Sequence, residues 1–136
     1  MATRILVVED DPELLDMITI MLEVRGFDVL MARNGTEGID KARAESPDLI
    51  VTDLKMPTLD GIEMIKQMRS RADCPSVPIL AITGYDMDLA MEAIRSGANR
   101  ALAKPLDPEL LHVFIKDLLG KTPVSAPTSG SAKTKA

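Results

Sequence analysis

Short apolar runs alternate with helix-spaced segments along most of the chain, and that alternation limits the fold more than any single motif does. RILVV (4–8), FDVLMA (27–32), DLIVT (48–52), VPILAI (77–82) and ANRALA (98–103) read as strands. Helical patterns follow them. Leu14, Leu15, Ile18 and Leu22 recur at helical spacing after Asp11 as N-cap and Pro12 at the first helical position. The letters DPELL return at 107–111 and open a last helix with the stripe Leu110, Leu111, Phe114 and Leu118. Asp60 with Glu63 resembles a capping box opening a helix over Ile62 to Arg69. Gly97 stops one running from Met87 to Ser96. The helix around Thr36 to Ala44 has the weakest support, because Gly38 costs roughly 1 kcal/mol relative to Ala.

Five strand-then-helix units predict an α/β fold: one doubly wound parallel sheet covered by helices on both faces. The nearly continuous apolar character of the strands agrees, since such strands are buried on both sides. A chain of 136 residues suffices for one such domain. Residues 1–120 are assigned to it. From 121 onward the chain reads KTPVSAPTSGSAKTKA, a composition expected of a disordered tail or linker.

The net charge is −5, with no Trp, one Tyr and two Phe. A direct nucleic-acid surface is not expected, because phosphate-binding cations and stacking aromatics are both scarce. Nor is a membrane segment expected, since no apolar run approaches spanning length. Cys74 has no second cysteine to pair with, and no apolar leader is evident. These features together predict a cytoplasmic protein.

LIVTDLKMPTLDG (49–61) poses the functional question, since a segment with the look of a buried strand ends on a carboxylate, Asp53. In open parallel sheets the carboxyl ends of the strands share one edge, where ligands bind. Strand one ends in Glu9 and Asp10, strand three in Asp53, strand four in Thr83 and strand five in Lys104, so all of them converge on one pocket. Carboxylates crowded there repel by up to about 4 kcal/mol per pair at 4 Å and an effective dielectric of 20. A site of few carboxylates, a backbone carbonyl and waters suits Mg²⁺, and Lys104 supplies a second positive charge. An acceptor oxygen, a metal, an ammonium and a hydroxyl are the parts that phosphoryl transfer requires. Asp53 would be the nucleophile and carry an acyl phosphate.

VVEDDPELL, VTDLKMPTLDG, LAITGY and LAKPL, in that order, resemble the receiver domain of bacterial two-component response regulators over roughly residues 3 to 119. The resemblance implies a flavodoxin-like sheet of strand order 2-1-3-4-5 with five helices. It implies Asp53 as phosphoacceptor. Glu9, Asp10, Asp53 and the backbone carbonyl of Lys55 become the metal site, with Asp10 binding directly and Glu9 through water. Thr83 and Lys104 contact the phosphoryl group, and the Lys104–Pro105 bond is open to the cis form. The implied partners are a histidine kinase or histidine phosphotransfer protein and a downstream effector protein, with a homodimer as a further expectation. The module promotes only its own phosphorylation and dephosphorylation and is not read as an enzyme.

The chain departs from the family pattern at Ala101, where receivers of this kind usually carry Tyr or Phe. Readout of a Thr83 shift is therefore expected to run through the backbone and Arg100. Lys55 and Tyr85 are long enough to gate the pocket against water, which predicts a long-lived phosphoryl group. A lone Asp at a strand end is most often a turn or cap residue. A flavodoxin-like electron carrier would not place EDDPE where a phosphate must bind. A haloacid-dehalogenase-like phosphatase would carry an Asp where Lys55 stands. A pseudo-receiver, docking without phosphorylation, stays open as the alternative because of Ala101. His112 has no second ligand at metal spacing and reads as a helix-surface histidine. The nine methionines read as adaptable core filler, with some at a partner surface.

Overall fold

A computed structural model describes residues 2–70, 76–84 and 86–120. Ten elements alternate strictly: β1 (Arg4–Val8), α1 (Pro12–Val24), β2 (Asp28–Ala32), α2 (Gly35–Glu45), β3 (Leu49–Asp53), α3 (Gly61–Ser70), β4 (Ile79–Thr83), α4 (Met87–Ser96), β5 (Arg100–Ala103) and α5 (Pro108–Gly120). The strands form one parallel sheet in the order β2-β1-β3-β4-β5, the doubly wound α/β topology anticipated above. Cys74 and the segment 121–136 lie outside the described residues, as does Tyr85.

Alternate strand residues serve opposite faces. Leu6, Val8, Ile50, Ile79 and Ala81 pack with Ile39, Met64 and Ile65 of α2 and α3. Ile5, Val7, Leu49, Val51, Leu80 and Ile82 pack with Leu15, Ile18 and Leu22 of α1 and Leu111, Ile115 and Leu118 of α5. The central strands β3 and β4 are buried at every position, whereas the edge strands are only partly covered. Each fully buried Leu or Ile contributes roughly 1.5–3 kcal/mol relative to its exposed state.

Local chemistry sets the helix starts. Asp11 Oδ1 accepts from the Glu13 amide at 3.1 Å, and Asp60 Oδ1 from the Glu63 amide at 2.9 Å. Asp107 Oδ1 accepts likewise from the Glu109 amide at 2.9 Å. Gly38, unfavourable by propensity, is buried where a Cβ would lie 3.0 Å from both Met64 Sδ and Val8 Cγ2. Close approach of α2 to β1 and α3 explains why a glycine stands there.

Two expectations need correction. Leu110 is 41% exposed, and Ile115 takes the buried place on α5, because the helix turns its 111–115–118 stripe to the sheet. The methionines divide: Met56, Met64 and Met68 are buried, whereas Met17, Met31, Met87 and Met91 are exposed and fill no core. His112 lies on the α5 surface as expected and is half-buried there: Arg25 Nη1 donates to its Nδ1 at 2.5 Å, and its ring meets Phe27 edge-on. That contact ties α5 to the end of α1.

Asn99 joins three elements. Its Oδ1 accepts from the Ile79 amide at 2.8 Å and from Arg69 Nη2 at 3.0 Å, while Arg69 Nε donates to the Gly97 carbonyl at 3.0 Å. Asn99→Ala leaves the first amide of β4 without its acceptor. The expected cost is about 1–3 kcal/mol, read as a lower urea midpoint with unchanged slope.

Candidate functional site

All strands point their carboxyl ends the same way, and β1, β3, β4 and β5 deliver their terminal groups to one edge of the sheet. Asp53 is the last residue of β3 and is buried. Glu9, following β1, is only 2% exposed, whereas Asp10 beside it is exposed. One carboxylate oxygen from each of Glu9, Asp10 and Asp53 lies within 4.8 Å of the others.

Lys104 reaches this cluster from the end of β5. Its Nζ stands 3.4 Å from Asp53 Oδ1 and 3.9 Å from Glu9 Oε1. The Lys104 amide donates to the Thr83 carbonyl at 2.7 Å, so the two residues are held together by the main chain. Thr83 is buried at the end of β4, and the Lys104–Pro105 peptide is cis.

One ammonium does not satisfy this much buried negative charge. Glu9 Oε2 accepts from the Asp11 amide at 3.1 Å, but Glu9 Oε1 is buried with no hydrogen-bond partner. Burial, opposed by the Asp11 amide and reinforced by the Asp53 charge, pushes the Glu9 carboxyl up to about 7. Burial also raises Asp53, against the lowering influence of Lys104 and the Leu54 amide. An orphaned buried carboxylate oxygen beside two further carboxylates is a donor set suited to a hard divalent cation. The residues present therefore fit Mg²⁺.

Lys55 is exposed on the loop after β3, whose neighbours Leu54 and Met56 are buried. Ala101 is half-buried, and beside its small side chain an apolar groove of about 440 Å³ lies between α4 and β5, lined by Thr83, Met87, Met91 and Ile94. Arg100 stacks over the Phe114 ring at 4.1 Å and pairs with Asp117 at 3.2 Å, so the residue expected to read out the site is already engaged with α5. Sequence reasoning missed the inner support of Asp53. The Thr52 hydroxyl, fully buried, donates to the Asp53 carbonyl at 2.8 Å.

A doubly wound parallel sheet with acidic groups on the first and third strand ends, a hydroxyl on the fourth and a lysine on the fifth is the arrangement expected of a receiver-type signalling domain. The sequence profile of the response regulator receiver domain matches residues 5–116, and the chain belongs to that family, a signalling module of two-component systems. Protein PilH of Pseudomonas aeruginosa is 38% identical over 117 residues, a match that covers 85% of this chain and 97% of PilH. The alkaline phosphatase synthesis transcriptional regulatory protein PhoP of Bacillus subtilis is 36% identical over 130 residues, covering 95% of this chain but 53% of PhoP, so the chain spans about half the length of that relative. The receiver domain of a Pseudomonas aeruginosa sensor histidine kinase, solved with a magnesium ion coordinated in its active-site cleft, superposes with a TM-score of 0.83 at 29% identity and covers 89% of this chain and all of that one. Among the described residues no helix is long and apolar enough to cross a membrane.

Proposed function

We propose that this chain is the phosphoacceptor of a two-component phosphorelay, phosphorylated on Asp53 by a histidine kinase or histidine phosphotransfer protein. The observation that carries the reading is the Lys104 ammonium 3.4 Å from the buried Asp53 carboxylate, beside a buried Glu9 oxygen that accepts no hydrogen bond. Glu9, Asp10, Asp53 and the Lys55 carbonyl would hold Mg²⁺. When bound there, the ion supplies positive charge for the carboxylates and for the oxygens of an incoming phosphoryl group.

The chain's own residues do the rest. Asp53 attacks the phosphorus of a phosphohistidine; the new O–P bond forms as the P–N bond breaks, and the donor imidazole leaves with its electron pair. Lys104 balances charge on the phosphoryl oxygens, and the Thr83 hydroxyl donates to one of them. Lys55, exposed two residues after the acceptor, is long enough to hinder attack by water. The added charge shifts the population of conformations at the α4–β5 edge, where Thr83 and Arg100 lie, and so changes effector binding or dimerisation.

Incubation with Mg²⁺ and acetyl phosphate tests this reading. The chain is expected to gain the mass of one phosphoryl group, while Asp53→Asn gains none. A folded parent that stays unmodified with Mg²⁺ present would instead support a docking module that is not phosphorylated.

A further inference from the structure

We propose that Thr52 and Gly61 are positioning residues that fix the main chain of Asp53 from two sides, an inference that rests on Asp53 being the phosphoacceptor. Thr52 is fully buried in β3. A hydroxyl in such surroundings is costly unless bonded, and this one donates to the carbonyl of the adjacent Asp53 at 2.8 Å. The donor is thus committed to the main chain of the acceptor residue itself.

Gly61 closes on the same carbonyl from the opposite direction in the chain. A Cβ at that position would lie 2.3 Å from the Asp53 carbonyl oxygen and 2.8 Å from Leu54 Cα. Both obstacles are backbone, so no side-chain rotation relieves them, and a methyl group there must push the strand end, the start of α3, or both. The Gly61 amide also donates to the Leu54 carbonyl at 2.9 Å, which seats the first residue of α3 on the end of β3.

The loop between these points is held just as closely. Leu54 and Met56 are buried, and a Cβ on Gly35 of α2 would lie 2.5 Å from the Leu59 carbonyl. Thr58 has φ 71°, a left-handed conformation that a β-branched residue keeps only when its surroundings impose it. Thr52 and Gly61 therefore set where the Asp53 carboxylate sits against Lys104, and where the Lys55 carbonyl points. A misplacement of about 1 Å at a reacting centre costs on the order of 10²-fold in rate.

The test compares Gly61→Ala, Thr52→Val and Thr52→Ser with the parent, in the full chain. Two quantities are read per folded molecule: the rate of phosphoryl uptake from acetyl phosphate with Mg²⁺, and the Mg²⁺ titration followed by amide NMR shifts. Thermal midpoints are recorded alongside. Gly61→Ala and Thr52→Val are expected to take up phosphoryl at least about tenfold more slowly and to bind Mg²⁺ more weakly, while Thr52→Ser, which keeps the hydroxyl, stays close to the parent. A purely structural role would lower the midpoints and leave uptake by folded molecules unchanged; that result, or a serine variant as slow as the valine one, overturns the proposal. If Gly61→Ala does not fold, the two Thr52 variants decide. A folded parent that takes up no phosphoryl group overturns the phosphoacceptor reading and this inference with it, whereas variants that match an active parent overturn the inference alone.

Discussion

Lys104→Met is expected to slow phosphoryl uptake at Asp53 by about 10²- to 10³-fold, the usual cost of removing one preorganised charge-stabilising donor from a reaction centre. Lys104 Nζ lies 3.4 Å from Asp53 and 3.9 Å from Glu9, within ion-pair reach of both buried carboxylates. Its loss removes the charge that most opposes the effect of burial on the Asp53 carboxyl and leaves the nucleophile less well placed. Methionine keeps much of the side-chain length without the charge. The stem is partly exposed at the sheet edge, so the variant is expected to fold. Rates measured with saturating Mg²⁺ and acetyl phosphate check this; uptake at the parent's rate would take Lys104 out of the chemistry.

The second large effect is on stability. Glu9 is raised from 4.5 in the open chain to about 7 in the folded metal-free protein, so between those values the folded state holds a proton that the unfolded state has released. This favours the native state at low pH: the contribution is fully present below pH 4.5 and is lost as pH rises through about 7. Its size is on the order of 3 kcal/mol, and Asp53, also raised by burial, acts in the same direction. Urea unfolding at about pH 5 and about pH 8 without metal is therefore expected to show Glu9→Gln gaining on the parent at the higher pH. Added Mg²⁺ is expected to reverse the order at high pH, since it binds the native carboxylates and has little hold on the unfolded chain. A parent whose advantage or deficit against Glu9→Gln does not change with pH would contradict the burial of an unpartnered Glu9 oxygen.

Much of the fold was legible because parallel strands buried on both faces leave long apolar runs that little else produces. β3 and β4, buried throughout, are the clearest cases. Edge strands are harder: Asp28 and Met31 of β2 are exposed, and the charge of Asp28 interrupts the apolar run FDVLMA. Helix faces were blurred by residues that satisfy the periodicity from the wrong side. Leu110 precedes Leu111 in the same turn, and only packing against β3 decides that Leu111 is the one turned inward.

Candidate site residues fall on predicted strand ends, which is why the topology could bring Glu9, Asp10, Asp53, Thr83 and Lys104 to one edge. Distances and burial were not legible. Nothing in VVEDDPELL tells that Glu9 is buried with a free oxygen while Asp10 is exposed; that follows from how α1 starts, with the Asp11 amide claiming one Glu9 oxygen. Nothing in LIVTDLKMPTLDG tells why Gly61 is a glycine; it is required by contact with the Asp53 carbonyl, a neighbour that appears only once α3 folds back onto β3. His112 likewise looked unpartnered because Arg25, 87 residues earlier, reaches it only through the fold.

The most direct measurement is to phosphorylate the full chain with acetyl phosphate and Mg²⁺, reduce it with borohydride, which converts an aspartyl acyl phosphate to homoserine, and map the peptides. Homoserine at position 53 and nowhere else is the predicted result. Homoserine at another acidic residue, or none in a folded and Mg²⁺-saturated sample, would contradict Asp53 as the acceptor.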